Sequence, residues 1–407
     1  MRSIIFPMTL LTEPGSVAGT HSPPLPGCSP ALHFRLPTIP SARVLHQIRT
    51  LKAPTRSLIR DTLEISQPTV TRHVRALIDA GLVEERQTEH DGERAGRPHA
   101  VLCLDGRHVI VWGMHIGVRS THLTITDGAG RLIREMELPI LLPERTPAQM
   151  VALLVREMEK LACGLPTPVS VGAAVSAHLD RHGIVNSREY GWTGVDLANL
   201  LSRRLGRAVH VGAGVAAMAA QELLSRPISP ADSGSTLYFY AREVVNHAWI
   251  VNGTVHRPHS GRLGSSFREL AQGSVLAQGE DHPFSGAAAV SAARRAGIQV
   301  DSFRDLVTLG PTNATARKIT DARARLLSDA ITLILDAVDP SALVLAGEAF
   351  TADHRGLEHI VTDIRAQRGG PSQLKIHLAG PAVTRDAARL VGVFPLWTDP
   401  LAQLVQR

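Results

Sequence analysis

The chain has 407 residues, 44% of them apolar, and a formal charge of +6, enough for a small domain and one or two larger ones with cores of their own. The mild positive charge favours contact with nucleic acid without requiring it. Cys28, Cys103 and Cys163 are far apart and form no C-x-x-C pair, and no run reaches the ~20 apolar residues of a membrane span, so a disulfide framework, a zinc knuckle and a membrane partner are all unexpected, and a soluble, cytoplasmic protein is expected.

The first stretch, Met1 to Leu11, has one positive charge and an apolar run broken by Pro7, which makes a poor signal peptide. Residues 1–40 are rich in proline with Gly, Ser and Thr and are expected to be a disordered leader or an overextended start. From Thr55 to Val83 the pattern predicts a helix-turn-helix. Leu58, Ile59 and Leu63 recur at helical intervals, as do Val70, Val74, Leu77 and Ile78, so each segment is expected to bury one stripe. Ser66 suits an N-cap, Pro68 stands where a missing N–H does no harm, and Gly81 suits a left-handed stop, which places the second helix from about Gln67 to just before Gly81.

The outward face of that helix carries Gln67, Thr69, Thr71, Arg72 and Arg75 beside the capping Ser66. At the start of a recognition helix these side chains suit base edges and phosphates in a major groove. After Leu82-Val83 two strand-like runs, Glu84 to Gln87 and Ala100 to Leu104, flank a polar loop that holds Arg94 and Arg97, a pattern that predicts a wing able to reach the backbone or a minor groove. Acids and bases are nearly equal in number from Ser41 to Asp105, so the reading rests on where the arginines lie. A polar face on an ordinary helical hairpin is the plainer alternative.

Beyond Val109 short apolar strands alternate with helices. Val109–Gly117, Ser120–Asp127 and Leu132–Leu138 predict a three-strand meander, followed by a helix at Pro147–Leu161 and a strand at Pro168–Val175. A second αβ set runs through Val211, a helix at Ala216–Leu224 and a strand at Ser235–Tyr240, and a long helix at Thr320–Val338 leads into Ala342–Glu348. The alternation predicts an α/β architecture in two lobes. The 19 histidines show no H-x-x-x-H or H-E-x-x-H spacing and are expected to be core or solvated residues, with no metal site; His256 and His259, three apart, are a weak pair.

The winged helix, together with Gly172-Ala173-Ala174-Val175, Asn186-Ser187, Gly191-Trp192, Val195-Asp196-Leu197-Ala198, the run Leu205 to Val211 and Asp339 to Gly347, resembles the repressor/open-reading-frame/kinase (ROK) family over roughly Ser41 to Leu396. The resemblance implies a winged helix-turn-helix at 41–105 and a two-lobed, actin-like sugar-kinase fold at 106–407. It also implies a double-stranded DNA operator and a homodimer or higher homo-oligomer. Departures from the family pattern set the expected activity. Where its kinases carry Asp-x-Gly-x-Thr, this chain has His115-Ile116-Gly117-Val118-Arg119, and no carboxylate remains to hold Mg²⁺. Where the catalytic Glu-Asn-Asp-Ala-Asn-Ala-Ala lies, it has Gly212 to Met218, with Gly214 in place of the base. The second phosphate loop is Ala241 to Asn246, without glycine. Ser265 stands where the family's sugar-contacting Glu lies, Arg268 where its zinc His lies, and no cysteine follows.

These differences imply a transcriptional regulator of repressor type that is not an enzyme and needs no cofactor. A sugar kinase with an accessory DNA-binding domain is the alternative, and a protein-binding scaffold with an inert winged helix is a third reading. Simple hexoses are not expected to be recognised. A non-sugar effector is allowed for: the basic Arg119 and Arg268 with the vacated space suit a larger or anionic molecule, Ser265 is a further candidate contact, and Asn186 with Ser187 suits either a small polar ligand or, equally, stabilisation of its own loop.

Overall fold

The computed structural model describes residues 31–87, 100–140, 142–228, 234–258, 265–367 and 374–405. Three helices and a hairpin come first: α1 (Pro40–Leu51), α2 (Arg56–Leu63), α3 (Gln67–Asp79), β1 (Val83–Gln87) and β2 (Ala100–Leu104). The first lobe follows with β3 (Ile110–Ile116), β4 (Ser120–Asp127), β5 (Leu132–Pro139), α4 (Pro147–Leu161) and β6 (Ser170–Val175). It is completed by the small strands β7 (His178–Leu179), β8 (Ile184–Ser187) and β9 (Trp192–Asp196), then α5 (Leu197–Leu205) and β10 (His210–Ala213). After α6 (Gly214–Leu224) the second lobe holds β11 (Thr236–Ala241), β12 (Val245–Val251), β13 (Thr254–His256), α7 (Ser265–Leu270), α8 (Gly286–Arg295), α9 (Phe303–Leu309) and α10 (Ala314–Val338). Its last elements are β14 (Ala342–Ala346), α11 (Glu348–Thr351), α12 (His354–Gln367) and β15 (Lys375–Leu378), before α13 (Val383–Thr398) and α14 (Pro400–Val405) end the chain.

Each lobe is built on one five-stranded sheet, ordered β5-β4-β3-β6-β10 in the first and β13-β12-β11-β14-β15 in the second. Both have an antiparallel meander on one side and parallel crossovers on the other. The two lobes thus repeat one topology within the two-lobed α/β architecture that the alternation of strands and helices predicts; the repetition itself is a finding of the structure. The long helix α10 starts six residues before its expected Thr320, because Asn313 accepts hydrogen bonds from the N–H groups of Thr315 and Ala316, both at 3.0 Å.

α13 returns from the second lobe to lie on the first-lobe sheet. A Cβ on Gly113 would meet the Ala388 carbonyl oxygen at 1.9 Å and one on Gly172 would meet that of Val391 at 2.2 Å, so the absence of side chains there lets helix and sheet touch backbone to backbone. Among the described residues no helix is long and apolar enough to cross a membrane.

The expected leader needs correction at its end; residues 1–30 lie outside the described residues. Residues 32–36 are an extended strap across both lobes. Leu32 N–H donates to the Val211 carbonyl at 2.8 Å at the edge of the first sheet, while Leu36 N–H donates to Gly253 and Val255 N–H to Phe34 at the edge of the second. Phe34 is 1% exposed and packs edge-on against Phe394, with ring centroids 4.8 Å apart. Composition hid this because the strap's order comes from two distant sheet edges and not from its own residues.

Candidate nucleic-acid interface and interlobe cleft

α3 starts and ends where the caps require. The Ser66 hydroxyl accepts from Thr69 N–H at 3.4 Å and also pairs with the Thr69 hydroxyl at 2.8 Å, and Gly81 has φ +70°. Val70, Val74 and Leu77 are buried against α1 and α2, while Gln67, Thr71, Arg72 and Arg75 are exposed on the opposite face and Thr69 is half-buried. Arg75 pairs with Asp79 one turn on at 3.0 Å, so Gln67, Thr71 and Arg72 are the side chains of the set whose ends carry no bond to a neighbouring helix turn. One expectation fails in this module. Leu58, counted in the buried stripe of the first helix, is 46% exposed, because a helix of only eight residues turns Ile59 and Leu63 alone to the core.

The wing's stems form as expected, with Val83 opposite Leu104 and Gln87 opposite Ala100. Arg56 on α2 bonds to Glu85 on β1 at 2.9 Å and Leu102 N–H donates to the Pro54 carbonyl, which fixes the hairpin to the helices. The loop with Arg94 and Arg97 lies outside the described residues.

The module is fastened to the lobes through α1, a contact the sequence did not suggest. His46 bonds to the Arg226 carbonyl at 2.8 Å, Gln47 exchanges two bonds with Ile228, and Arg49 donates to the Leu224 carbonyl at 2.5 Å while its guanidinium lies 4.0 Å above the Trp397 ring. Burial, helped by Arg49, pushes the His46 imidazole down to about 4, so it is neutral at ordinary pH. One apolar cluster joins Val70 and Val74 of α3 to Phe394 and Leu396 of α13. These contacts hold α3 in a fixed relation to the C-terminal unit.

At the other end of α6, the space around Gly214 is closely packed. His115 is buried with its Nε2 3.0 Å from the Ser176 hydroxyl, and burial pushes it down to about 3. A Cβ on Gly214 would already lie 3.2 Å from His115 Nε2 and from the Val175 carbonyl oxygen, so a larger side chain would have to displace them. The space left there among the described residues is about 20 Å³, room for about one water. The candidate effector residues are not brought together. Arg119 is exposed and donates to the Asp301 carbonyl at 3.3 Å, and Asn186 accepts from Gly194 N–H at 2.9 Å, which tightens the β8–β9 hairpin. Arg268 is exposed on α7, and the side chain of Ser265 lies outside the described set. Arg119, Asn186 and Arg268 line neither this space nor the larger cleft between β4, β5, β11 and the start of α13.

Residues 37–92 match the MarR family. Along most of its length the chain is similar to a transcriptional regulator of Mycobacterium tuberculosis, 29% identical over 400 residues that cover 92% of this chain and 89% of the relative. A putative xylose repressor of a Caldicellulosiruptor species is 22% identical over 44% of this chain and 46% of its own length. Among solved structures, a ROK family transcriptional regulator described as a homologue of the E. coli MLC protein superposes with a TM-score of 0.67 at 18% identity, covering 90% of this chain and 98% of that one. A ROK hexokinase from Thermus thermophilus does so with 0.53 at 20% identity, covering 71% and 100%. The chain joins a segment matching the MarR family to lobes with the fold of ROK proteins. The hexokinase likeness thus covers a smaller share of the chain than the regulator likeness does.

Proposed function

We propose that the protein is a transcriptional regulator of repressor type that binds an operator as a homodimer in the cytoplasm, and that its ROK unit phosphorylates no sugar. The exposed start of α3 carries the reading: Gln67, Thr71 and Arg72 stand together on a capped helix whose other face is locked into the core. Gln suits adenine and Arg suits guanine or a phosphate, and two such helices related by a dimer axis fit half-sites about one helical turn apart. Arg94 and Arg97 are assigned to backbone or minor-groove contact on either side.

Two observations favour a regulator over a kinase with a DNA-binding accessory. The catalytic position is Gly214 against a buried His115, a packing that leaves no room for a carboxylate and a sugar hydroxyl together. The helix-turn-helix is also bonded to the lobes through α1 and the strap, which gives a change in the angle between the lobes a route to α3. Selection of bound fragments from the source genome tests the function. Recovery of a shared, partly palindromic site is expected, whereas retention of no DNA even at low salt would turn the reading to a scaffold.

A further inference from the structure

The larger interlobe cleft, about 410 Å³, is unlike the closely packed space around Gly214. Glu135, Glu137 and Glu348 line it with Arg242, Arg304 and Arg385, alongside the Tyr240 hydroxyl. Their mutual pairs are loose: Arg304 to Glu348 is 3.6 Å, Arg385 to Glu135 is 3.7 Å, and His122 to Glu137 is 3.6 Å. Charge-assisted hydrogen bonds close to about 2.7–2.9 Å, so these three pairs retain bonding capacity, while Arg242 is held through Nε by Glu243 at 3.2 Å and has its other guanidinium nitrogens to offer a ligand. The start of α13 also faces the cleft, and its N-cap, Ala382, has no side chain to satisfy the first N–H groups.

Behind the cleft stands a costly support. Arg323 of α10 is 1% exposed, has no acidic partner within salt-bridge distance among the described residues, and keeps Nη1 without a hydrogen-bond partner. It donates instead to the carbonyls of Phe284 and Arg242, both at 3.1 Å, and Gly286 N–H donates to the same Arg242 carbonyl at 2.9 Å. A buried guanidinium without an acidic partner is costly, and the Phe303 ring, its centroid 4.1 Å from the guanidinium carbon, offsets part of that cost. What Arg323 secures is the backbone at Arg242, whose side chain lines the cleft.

We propose that this cleft binds a small zwitterion of the amino-acid class, its carboxylate held by Arg242, Tyr240 and the open end of α13, and its ammonium by Glu348 and Glu137. The equal numbers of acids and arginines select the class: a lone anion would sit among three carboxylates and a lone cation among three guanidinium groups, whereas a ligand with both charges meets a partner at each end. The site stands independently of the DNA-binding reading, since binding is measured without DNA.

The test uses the full chain in thermal-shift and calorimetric titrations with the proteinogenic amino acids one by one, beside inorganic phosphate, citrate and glucose. At least one amino acid is expected to bind and raise the melting temperature, and its decarboxylated and deaminated analogues are expected not to. Arg242→Gln and Glu348→Gln should each weaken that binding by about tenfold or more; neither touches the carbonyl that Arg323 holds, so the fold should remain intact. No response to any amino acid, a response to phosphate, citrate or glucose alone, or binding that neither substitution weakens would overturn the proposal.

Discussion

At the scale of single residues, burial sets the chemistry more than charge does. His46, His115 and His247 are pushed down to about 4, 3 and 4 from the 6.5 of a free imidazole, in each case mainly by burial. As pH falls the unfolded chain therefore takes up protons on these histidines before the folded one does. Their contribution to stability is complete above about pH 6.5 and is lost as pH falls toward 4, at roughly 1.4 kcal/mol per pH unit for each residue. Chemical denaturation between pH 7.5 and about 5 should show this loss, and His46→Gln should lessen it; a stability independent of pH across that window would contradict the assignment. Sequence spacing could not reveal that His115 packs against Ser176. That pairing joins two strands some sixty positions apart in the chain.

Among elements, those whose signals are local were legible. Ser66 and Gly81 bound α3 as their cap chemistry requires, and the Pro147–Leu161 helix is found with its expected limits. Leu58 was misread because helical spacing does not reveal that the helix is too short to bury three apolar positions. The strap was hidden for a different reason: its residues have no periodicity, and its partners are β10 and β13. Truncating Phe34 should expose how much the strap contributes. Phe34→Ala empties a site between Phe394 and Gly212 and is expected to cost about 3–5 kcal/mol, read as a lower denaturant midpoint. A loss below about 1 kcal/mol would show that the strap is a passive cover.

For the whole molecule, the two-lobed α/β fold was readable from the alternation of strands and helices, and the family resemblance from motifs spread along it. The interlobe cleft was not, because Glu137, Arg242, Glu348 and Arg385 come from four separate elements and carry no spacing signal. No Mg²⁺- and ATP-dependent phosphorylation of glucose, N-acetylglucosamine, mannose or xylose is expected, and no gain of it in Gly214→Asp, since a side chain there meets His115 and the Val175 carbonyl. Turnover by the native chain, seen in a coupled ADP-release assay, would reinstate the kinase alternative. The central claim is that α3 reads DNA sequence. It is tested most directly by the ratio of affinities for a selected operator and a scrambled duplex of equal length, measured at fixed salt for the native chain, Gln67→Ala and Arg72→Ala. Each substitution is expected to reduce that discrimination by about 1–3 kcal/mol while leaving the melting temperature unchanged; an unaltered ratio in both would contradict the claim.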